Sequence, residues 1–152
     1  MQKSMKAISL WQPWASLVAH GFKQYETRHW QPPKNLIGAL LAIHAAKRWT
    51  ADEARYMKRF VLAYPDVREK LWTDPPLLRP PLGAILCVCR LVACYPSNEH
   101  FYQVDEKERT FGDWSPGRFV WKLEVVKVPP NPILYPGHQG IWNWVYELPV
   151  QA

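Results

Sequence analysis

The sequence has no long hydrophobic run. None of its apolar stretches approaches the roughly 18 residues that a membrane-spanning helix needs. The first residues, Met1–Lys6, carry neither the apolar stretch nor the small-residue cleavage site of a signal peptide. These absences predict a soluble, cytoplasmic protein with no membrane partner.

Cysteine is also scarce, and several catalytic signatures are missing. The three cysteines, Cys87, Cys89 and Cys94, lie within one apolar run and not at metal-ligand spacing, which predicts buried thiols and no disulfide framework. The chain has no Gly-rich phosphate loop, no His-Glu-x-x-His, no Gly-x-Ser-x-Gly and no Cys-x-x-Cys. The sequence therefore predicts no metal and no cofactor.

What the sequence does have is positive charge and aromatic surface. Its 152 residues, 48% of them hydrophobic, predict one globular domain over 1–152. Lys and Arg number 19 against 13 Asp and Glu, a formal charge of +6 that favours a polyanionic partner such as nucleic acid. The 9 Trp, 7 Tyr and 5 Phe supply packing surface and candidate stacking platforms for bases.

Hydrophobic periodicity predicts the secondary structure. Spacing of two or short apolar runs predict strands over 6–10, 23–30, 38–45, 83–95, 117–128 and 138–148. Spacing of three and four predicts helices over 13–21, 51–64 and 66–71. The proline-rich segment 74–81 predicts an extended connection, and the polar segment 97–110 predicts an exposed loop or short helix.

The order of these elements predicts an α+β fold. Strands and helices do not alternate as parallel βαβ units require. Five to six strands with two to three helices predict a small mixed β-barrel, closed or partly closed, with the helices at its periphery. Trp142 and Trp144, on one face of the last strand, are expected to pack inside it.

The densest group of charged side chains that could bind or react with a ligand follows the glycine turn at Gly21. Lys23, Glu26 and Arg28 lie within six residues of one another. Such a group can orient a phosphate or a carbonyl, and a desolvated lysine can act as a base or nucleophile. A structural alternative stays open, in which Glu26 and Arg28 only form an ion pair on one face of the strand.

Five segments of the chain resemble the ASCH domain family, the activating signal cointegrator homology domain, in its bacterial and phage-type members. They are Ser9–Val18 (Ser-Leu-Trp-Gln-Pro-Trp-Ala-Ser-Leu-Val), Gly21–Trp30 (Gly-x-Lys-x-x-Glu-x-Arg-x-Trp), Ile43–Lys47 (Ile-His-Ala-Ala-Lys), Phe111–Trp121 and His138–Trp142. The resemblance covers nearly the whole chain. It implies a PUA-like β-barrel with a cleft that binds RNA or a modified nucleoside.

The resemblance also implies which residues form that cleft. Lys23, Glu26 and Arg28 would line it, with Gln12 and Trp14 on one wall. Some branches of the family resemble amidohydrolases that act on acetylated cytidine, some are proposed ribonucleases, and others look like nucleic-acid binders. The acetylcytidine-type branch has a threonine where Glu26 stands here, a departure that weakens that mechanism for this chain.

Other candidate residues follow from their chemistry and their place in the chain. His44 and Lys47 stand at the end of an apolar strand. His44 is expected to bind the ligand and is an alternative to Glu26 as a base, although a structural role is the open alternative. Lys47 is expected to contact the ligand or a phosphate. Ser115 and Arg118 flank a Pro-Gly turn and are expected to bind ligand. Trp11, Trp14 and Trp30 are candidates for stacking on a base.

Four functions remain open at this point. The cleft could be a metal-independent ribonuclease with Lys23, Glu26 and Lys47 as catalytic groups, because such a reaction needs a base and a cation that stabilises the phosphorane. It could be an amidohydrolase for N4-acylated cytidine, or a binding module for single-stranded nucleic acid without catalysis. A protein-interaction role for 74–81 and 97–109 is the fourth.

Overall fold

The computed structural model describes residues 2–72 and 79–147, and the predicted positions 74–78 and Leu148 lie outside this part. The strands are β1 (Gln2–Leu10), β2 (Tyr25–Arg28), β3 (Leu40–Ala45), β4 (Ala84–Pro96), β5 (Phe119–Lys127), β6 (Ile133–Leu134) and β7 (Ile141–Glu147). The α-helices are α1 (Trp14–Ala19), α2 (Ala51–Ala63), α3 (Pro65–Leu71), α4 (Ser97–His100) and α5 (Glu106–Thr110). The predicted α+β class is confirmed.

The strands form one mixed sheet in the order β2-β5-β4-β3-β1-β7, with the short β6 paired to β4. Among the strand pairs of the described residues, β1 and β3 are parallel and the others are antiparallel. Within the described residues the two end strands, β2 and β7, are not paired to each other, so the sheet does not close into a barrel. The described part therefore has seven strands and five α-helices, more than the five to six and two to three expected.

The additional elements are short. β6 lies within the proline-broken link before the last strand, where two residues pair with Ala84 and Ile85 of β4. α4 and α5 lie in the polar segment 97–110. Elements of two to five residues leave no periodic pattern in a sequence, because a single turn or bridge is shorter than one hydrophobic repeat.

β4 is the central strand, as its apolar sequence predicts. It pairs with β3 on one side and with β5 and β6 on the other, and Cys87 and Cys89 are fully buried on it. Cys94 is partly buried, and all three cysteines are free thiols. Burial raises the pKa of the Cys94 thiol, which keeps it protonated at neutral pH.

β5 departs from its predicted alternation at one position. Val120, predicted on the polar face, is fully buried. It packs with Tyr25 and Trp114 in a small apolar cluster on the second side of the sheet. The segment that follows β4 covers this side, which a half-exposed strand pattern does not reveal.

α2 begins with the capping box that its sequence predicts. Thr50 Oγ1 accepts from the Asp52 amide at 3.2 Å, and Glu53 Oε1 accepts from the Thr50 amide at 2.8 Å. α2 then packs Met57, Phe60 and Val61 against α1 and α3. The helix carries Tyr56 and Phe60 to the wall of the cleft described below.

Replacing Thr50 with alanine is expected to lower the free energy of unfolding by about 1 kcal/mol, because the helix loses its N-cap acceptor. Urea denaturation followed by circular dichroism measures this change. Thr50→Ser keeps the hydroxyl and should lose less than half as much. Equal losses in the two variants would mean that the methyl group, and not the cap, stabilises α2.

No described helix is long and apolar enough to cross a membrane.

Candidate functional site

A cleft of about 1070 Å³ opens where the parallel strands β1 and β3 end. Its floor comes from β2 and the ends of β1 and β3, and its walls come from α2 and the loops at 110–113 and 136–140. Of the predicted site residues, the cleft is lined by Trp14, Glu26, Arg28, His44, Lys47 and Arg118. The predicted residues Gln12, Lys23 and Ser115 are not in its lining.

β2 positions the charged group. Its alternation buries Tyr25 and Thr27 and leaves Glu26 and Arg28 partly exposed on the cleft side, as the period of two predicts. Arg28 Nε lies 3.4 Å from Glu26 Oε2, so the ion pair that the strand pattern allowed is present. Arg28 Nη2 also donates to the Ser9 carbonyl at 3.0 Å, which joins β2 to the end of β1.

Lys23 lies beneath the cleft and not in it. Its side chain is 1% exposed, and Nζ donates to the Phe111 carbonyl at 2.9 Å. Nζ is also 3.9 Å from Glu26 Oε1. Burial lowers the pKa of Lys23, and the nearby carboxylates of Glu26 and Glu108 oppose that shift. The expectation that Lys23 lines the cleft is thus corrected, because the turn after α1 directs the side chain into the interior.

Glu108 is a buried carboxylate that interacts electrostatically with Lys23, and the sequence analysis did not identify it. It is 7% exposed, and its Oε1 accepts from the Gln24 amide at 2.8 Å at the start of β2. Burial raises the pKa of Glu108. The segment 97–110 contains the short helices α4 and α5, one of the two predicted alternatives, but Glu108 is not exposed, because Asp105 caps α5 and turns Glu108 inward. The Asp105-x-x-Glu108 spacing is a capping pattern that could have indicated the helix.

Arg118 ties the 113–118 turn to β2. Its Nη2 donates to the Thr27 carbonyl and its Nε to the Asp113 carbonyl, both at 3.1 Å. Thr27 Oγ1 in turn accepts from the Asp113 amide at 3.2 Å. The Arg118 side chain is 26% exposed and lines the cleft, and its Nε also lies 3.5 Å from Asp113 Oδ2.

Ser115 stabilises the same turn outside the cleft. Its Oγ donates to Asp113 Oδ1 at 2.6 Å. Hydrogen bonds from Ser115 lower the pKa of Asp113. The hydroxyl thus bonds within its own turn and outside the cleft lining, and the ligand contact expected of Ser115 stays a prediction.

Gln12 likewise acts within the fold. It is fully buried, and its Nε2 donates to Ser16 Oγ at 2.7 Å and to the Pro81 carbonyl at 2.9 Å. Its Oε1 accepts from the Ser16 amide. Gln12 therefore anchors the first turn of α1 and does not form the expected cleft wall. The neighbouring Trp14 does line the cleft, 5.0 Å from the Tyr56 ring.

His44 is buried at the cleft floor with both ring nitrogens bonded. Nε2 is 2.7 Å from the Tyr135 carbonyl, and Nδ1 is 2.9 Å from Ser9 Oγ. A carbonyl oxygen only accepts, so Nε2 carries the proton and Ser9 donates to Nδ1. Burial lowers the pKa of His44, which favours this neutral form. Ser9 was not among the predicted site residues. It lies beside His44 because the two residues are paired in the register of β1 and β3.

Lys47 and the aromatic residues complete the rim. Lys47 is exposed, and no ion pair to it is found in the described part of the chain. Trp11 is 52% exposed, with the Arg48 guanidinium 4.3 Å from its ring centroid. Trp30 also lines the cleft and packs edge-on against Trp121, with 5.0 Å between the ring centroids. The three predicted stacking residues, Trp11, Trp14 and Trp30, thus share one cleft.

Within residues 2–72 and 79–147, no group of three or more His, Cys, Asp or Glu side chains is arranged so that it could hold a metal ion. The cleft instead offers hydrogen-bond donors, the two carboxylates of Glu26 and Asp113, and aromatic faces. Such a surface is suited to an anionic ligand that also carries a planar ring.

Comparison with known proteins agrees with the motifs. The family model of the ASCH domain matches residues 8–147. Among solved structures, the chain is similar to ASCH from Zymomonas mobilis, at 16% identity over 85% of this chain and 72% of that one, with a TM-score of 0.47. A tyrosine-to-phenylalanine mutant of the Zymomonas mobilis protein matches at 17% identity over 85% and 74% of the two chains, with the same TM-score. No curated protein matches the chain.

Proposed function

The chain belongs to the ASCH domain family, and on that premise we propose that its cleft binds single-stranded RNA, with one unpaired nucleoside held against the cleft floor. The family and the α+β fold agree with the PUA-like architecture that the resemblance implies. Family membership supports a role connected with nucleic acids. The chemistry of the cleft supports the narrower proposal.

The observation that carries this proposal is the convergence of cations and tryptophans in one cleft. Arg28, Lys47 and Arg118 line it together with Trp14 and Trp30. Guanidinium and ammonium groups bind phosphate oxygens, and tryptophan faces stack on bases of any sequence. An unpaired nucleotide presents both features, whereas a base inside a duplex has no exposed face to stack.

Glu26 is one of the two carboxylates that line this cleft, and Asp113 is the other. The Glu26 carboxylate lies between Lys23 Nζ and Arg28 Nε, so the negative charge is balanced from both sides. A carboxylate at this place can accept from the exocyclic amine of a base or from a ribose hydroxyl. We assign Lys23 to balancing and positioning Glu26, since Nζ is buried and already bonded to Phe111.

The same arrangement supports metal-independent RNA cleavage more than it supports amide hydrolysis. Glu26 can take the proton of a 2′-hydroxyl, and Arg28 or Lys47 can stabilise the charge that develops on phosphorus. An amidohydrolase built on Lys23 would need that amine to reach the substrate. The burial of Lys23 and the glutamate at position 26 both count against this second mechanism.

Lys47→Gln is expected to weaken the affinity for a labelled single-stranded RNA by about tenfold at moderate salt, because one ammonium–phosphate contact is lost. The slope of log affinity against log salt should become shallower by about 0.7, the contribution of one phosphate contact to a single strand. Fluorescence anisotropy over a salt series measures both quantities.

Lys3→Gln is the matched control, since Lys3 is exposed on β1 and absent from the cleft lining. It should leave affinity and slope close to the wild-type values. Equal effects of the two variants would mean that net charge and not the cleft binds RNA. The same RNA, run on a denaturing gel after incubation in chelator with wild-type and Glu26→Gln protein, decides between binding alone and cleavage.

A further inference from the structure

We propose that Ser9 and His44 form a nucleophile–base pair, and that it hydrolyses a carboxylic ester on the ligand in the cleft. No feature of RNA binding requires these two side chains to be bonded to each other. They lie side by side because the parallel β1–β3 register pairs Ser9 with His44. Both residues line the cleft.

The hydrogen bonds give His44 the tautomer that a general base needs. Nε2–H is held by the Tyr135 carbonyl at 2.7 Å, which leaves Nδ1 with its lone pair directed at Ser9 Oγ, 2.9 Å away. Serine hydrolases use the same logic, in which a third group orients the histidine and the histidine accepts the serine proton. Here a backbone carbonyl takes the place of the orienting carboxylate.

The surroundings hold the pair rigid. The Trp142 indole N–H donates to Ser9 Oγ at 3.2 Å, and the Trp142 ring meets His44 edge-on at 5.3 Å. Gly137 covers the pair so closely that a Cβ there would lie 2.4 Å from His44 Cε1 and 2.7 Å from Ser9 Oγ. His44 is 1% exposed whereas Ser9 is partly exposed, so the serine is the member that a ligand can reach.

The reaction balances with water as the only co-reactant. Ser9 Oγ attacks the ester carbonyl carbon while its proton passes to His44 Nδ1, and the alcohol leaves with that proton as the acyl–serine forms. Water then attacks the acyl–serine carbonyl and gives one proton to His44 Nδ1. His44 returns this proton to Ser9 Oγ as the acyl–oxygen bond breaks, which releases the carboxylic acid and restores the serine hydroxyl. Arg28, bonded to the Ser9 backbone carbonyl at 3.0 Å, brings a cation to the wall where the oxyanion develops.

The substrate class rests on the proposed function, whereas the reactivity of Ser9 does not. A nucleoside or RNA end bound in the cleft offers ribose hydroxyls, and an acyl group on one of them is an ester with an alcohol leaving group. We therefore infer that the substrate is a ribose O-acyl ester.

The experiment treats the full chain with a fluorophosphonate probe and follows adduct formation by intact mass and peptide mapping. A single adduct on Ser9 is expected, because the activated hydroxyl displaces fluoride from phosphorus. His44→Asn should slow labelling by at least about 100-fold. The matched variants Ser4→Ala and His20→Asn, an exposed serine on the same strand and an exposed histidine outside the cleft, should leave the rate unchanged.

Absence of a Ser9 adduct in the wild-type protein overturns the proposal, and this result does not depend on whether a Ser9 variant folds. An equal rate in His44→Asn overturns it as well. The substrate class is supported if the wild-type protein hydrolyses O-acetylated adenosine. The blocked variant, Ser9→Cys with its new thiol carboxymethylated, should lose this hydrolysis. If Ser9 forms an adduct but the protein does not bind RNA, the proposed function and the ribose ester as substrate are refuted, and the nucleophile–base pair stands. If the protein binds RNA but Ser9 forms no adduct, the nucleophile–base pair is refuted, and the proposed function stands.

Discussion

Replacing Lys23 with methionine is expected to lower the free energy of unfolding by about 3 to 5 kcal/mol at pH 8, because one partner of a buried charge group is removed. Methionine has a similar length and fills the space, so a cavity does not contribute. The loss arises because the buried carboxylate of Glu108 no longer faces the Lys23 cation, Glu26 keeps only Arg28, and the Phe111 carbonyl loses its donor. Urea denaturation measures the change.

The deficit should depend on pH in a defined direction. Burial raises the pKa of Glu108 in the folded protein, while Lys23 opposes that shift. A carboxyl whose folded pKa is raised stabilises the fold below its unfolded value, and this contribution is lost as pH rises through the folded pKa. Without Lys23 the folded pKa of Glu108 rises further, so the deficit of Lys23→Met should grow from pH 5 to pH 8.

Lys34→Met is the matched control, since Lys34 is exposed in the short 3₁₀ helix over Lys34–Leu36. It should change stability by less than about 0.5 kcal/mol at both pH values. A deficit of Lys23→Met that is the same at pH 5 and pH 8 would contradict the assignment of Lys23 to balancing the buried carboxylates.

Gly137→Ala is expected to reduce the rate of Ser9 labelling by about 100-fold and to lower the free energy of unfolding by about 1 to 3 kcal/mol. The added Cβ would lie 2.4 Å from His44 Cε1. The ring cannot move aside without losing a hydrogen bond, since both nitrogens are held. The 136–140 loop must lift instead, which separates Tyr135 from His44 and releases the orienting bond.

Gly38→Ala separates this effect from general destabilisation. Gly38 has a φ of +86°, and no atom lies within 4 Å of an added Cβ. Alanine there costs about 1 kcal/mol through its left-handed backbone alone, at a site absent from the cleft lining. If Gly38→Ala slowed labelling as much as Gly137→Ala, the clash with His44 would not be the cause.

The local elements were predictable because each has a complete pattern of its own. Thr50 and Glu53 mark the start of α2, and the apolar run before Tyr95 marks the central strand. The alternation of β2 placed Glu26 and Arg28 on one face, as observed. The motif around Lys23, Glu26 and Arg28 also led to the ASCH family, which the family model confirms.

The candidate site was only partly predictable. Lys47, Arg118 and Trp14 line the cleft as expected. The Gln12 amide instead bonds to Ser16 and to the Pro81 carbonyl, and the Ser115 hydroxyl bonds within its own turn. Side chains of these types at loop ends serve ligands or backbone equally well. Only the neighbouring backbone atoms decide between the two roles.

The sequence by itself determined the family, the α+β class, most of the helices and strands, and the charged group on β2. The tertiary structure alone decided that Lys23 is buried against Glu108 from a segment 85 positions away, and that Ser9 faces His44. Periodicity reports which side of an element is apolar. It does not report which strands become neighbours or in what register, because that depends on contacts between residues far apart in the chain.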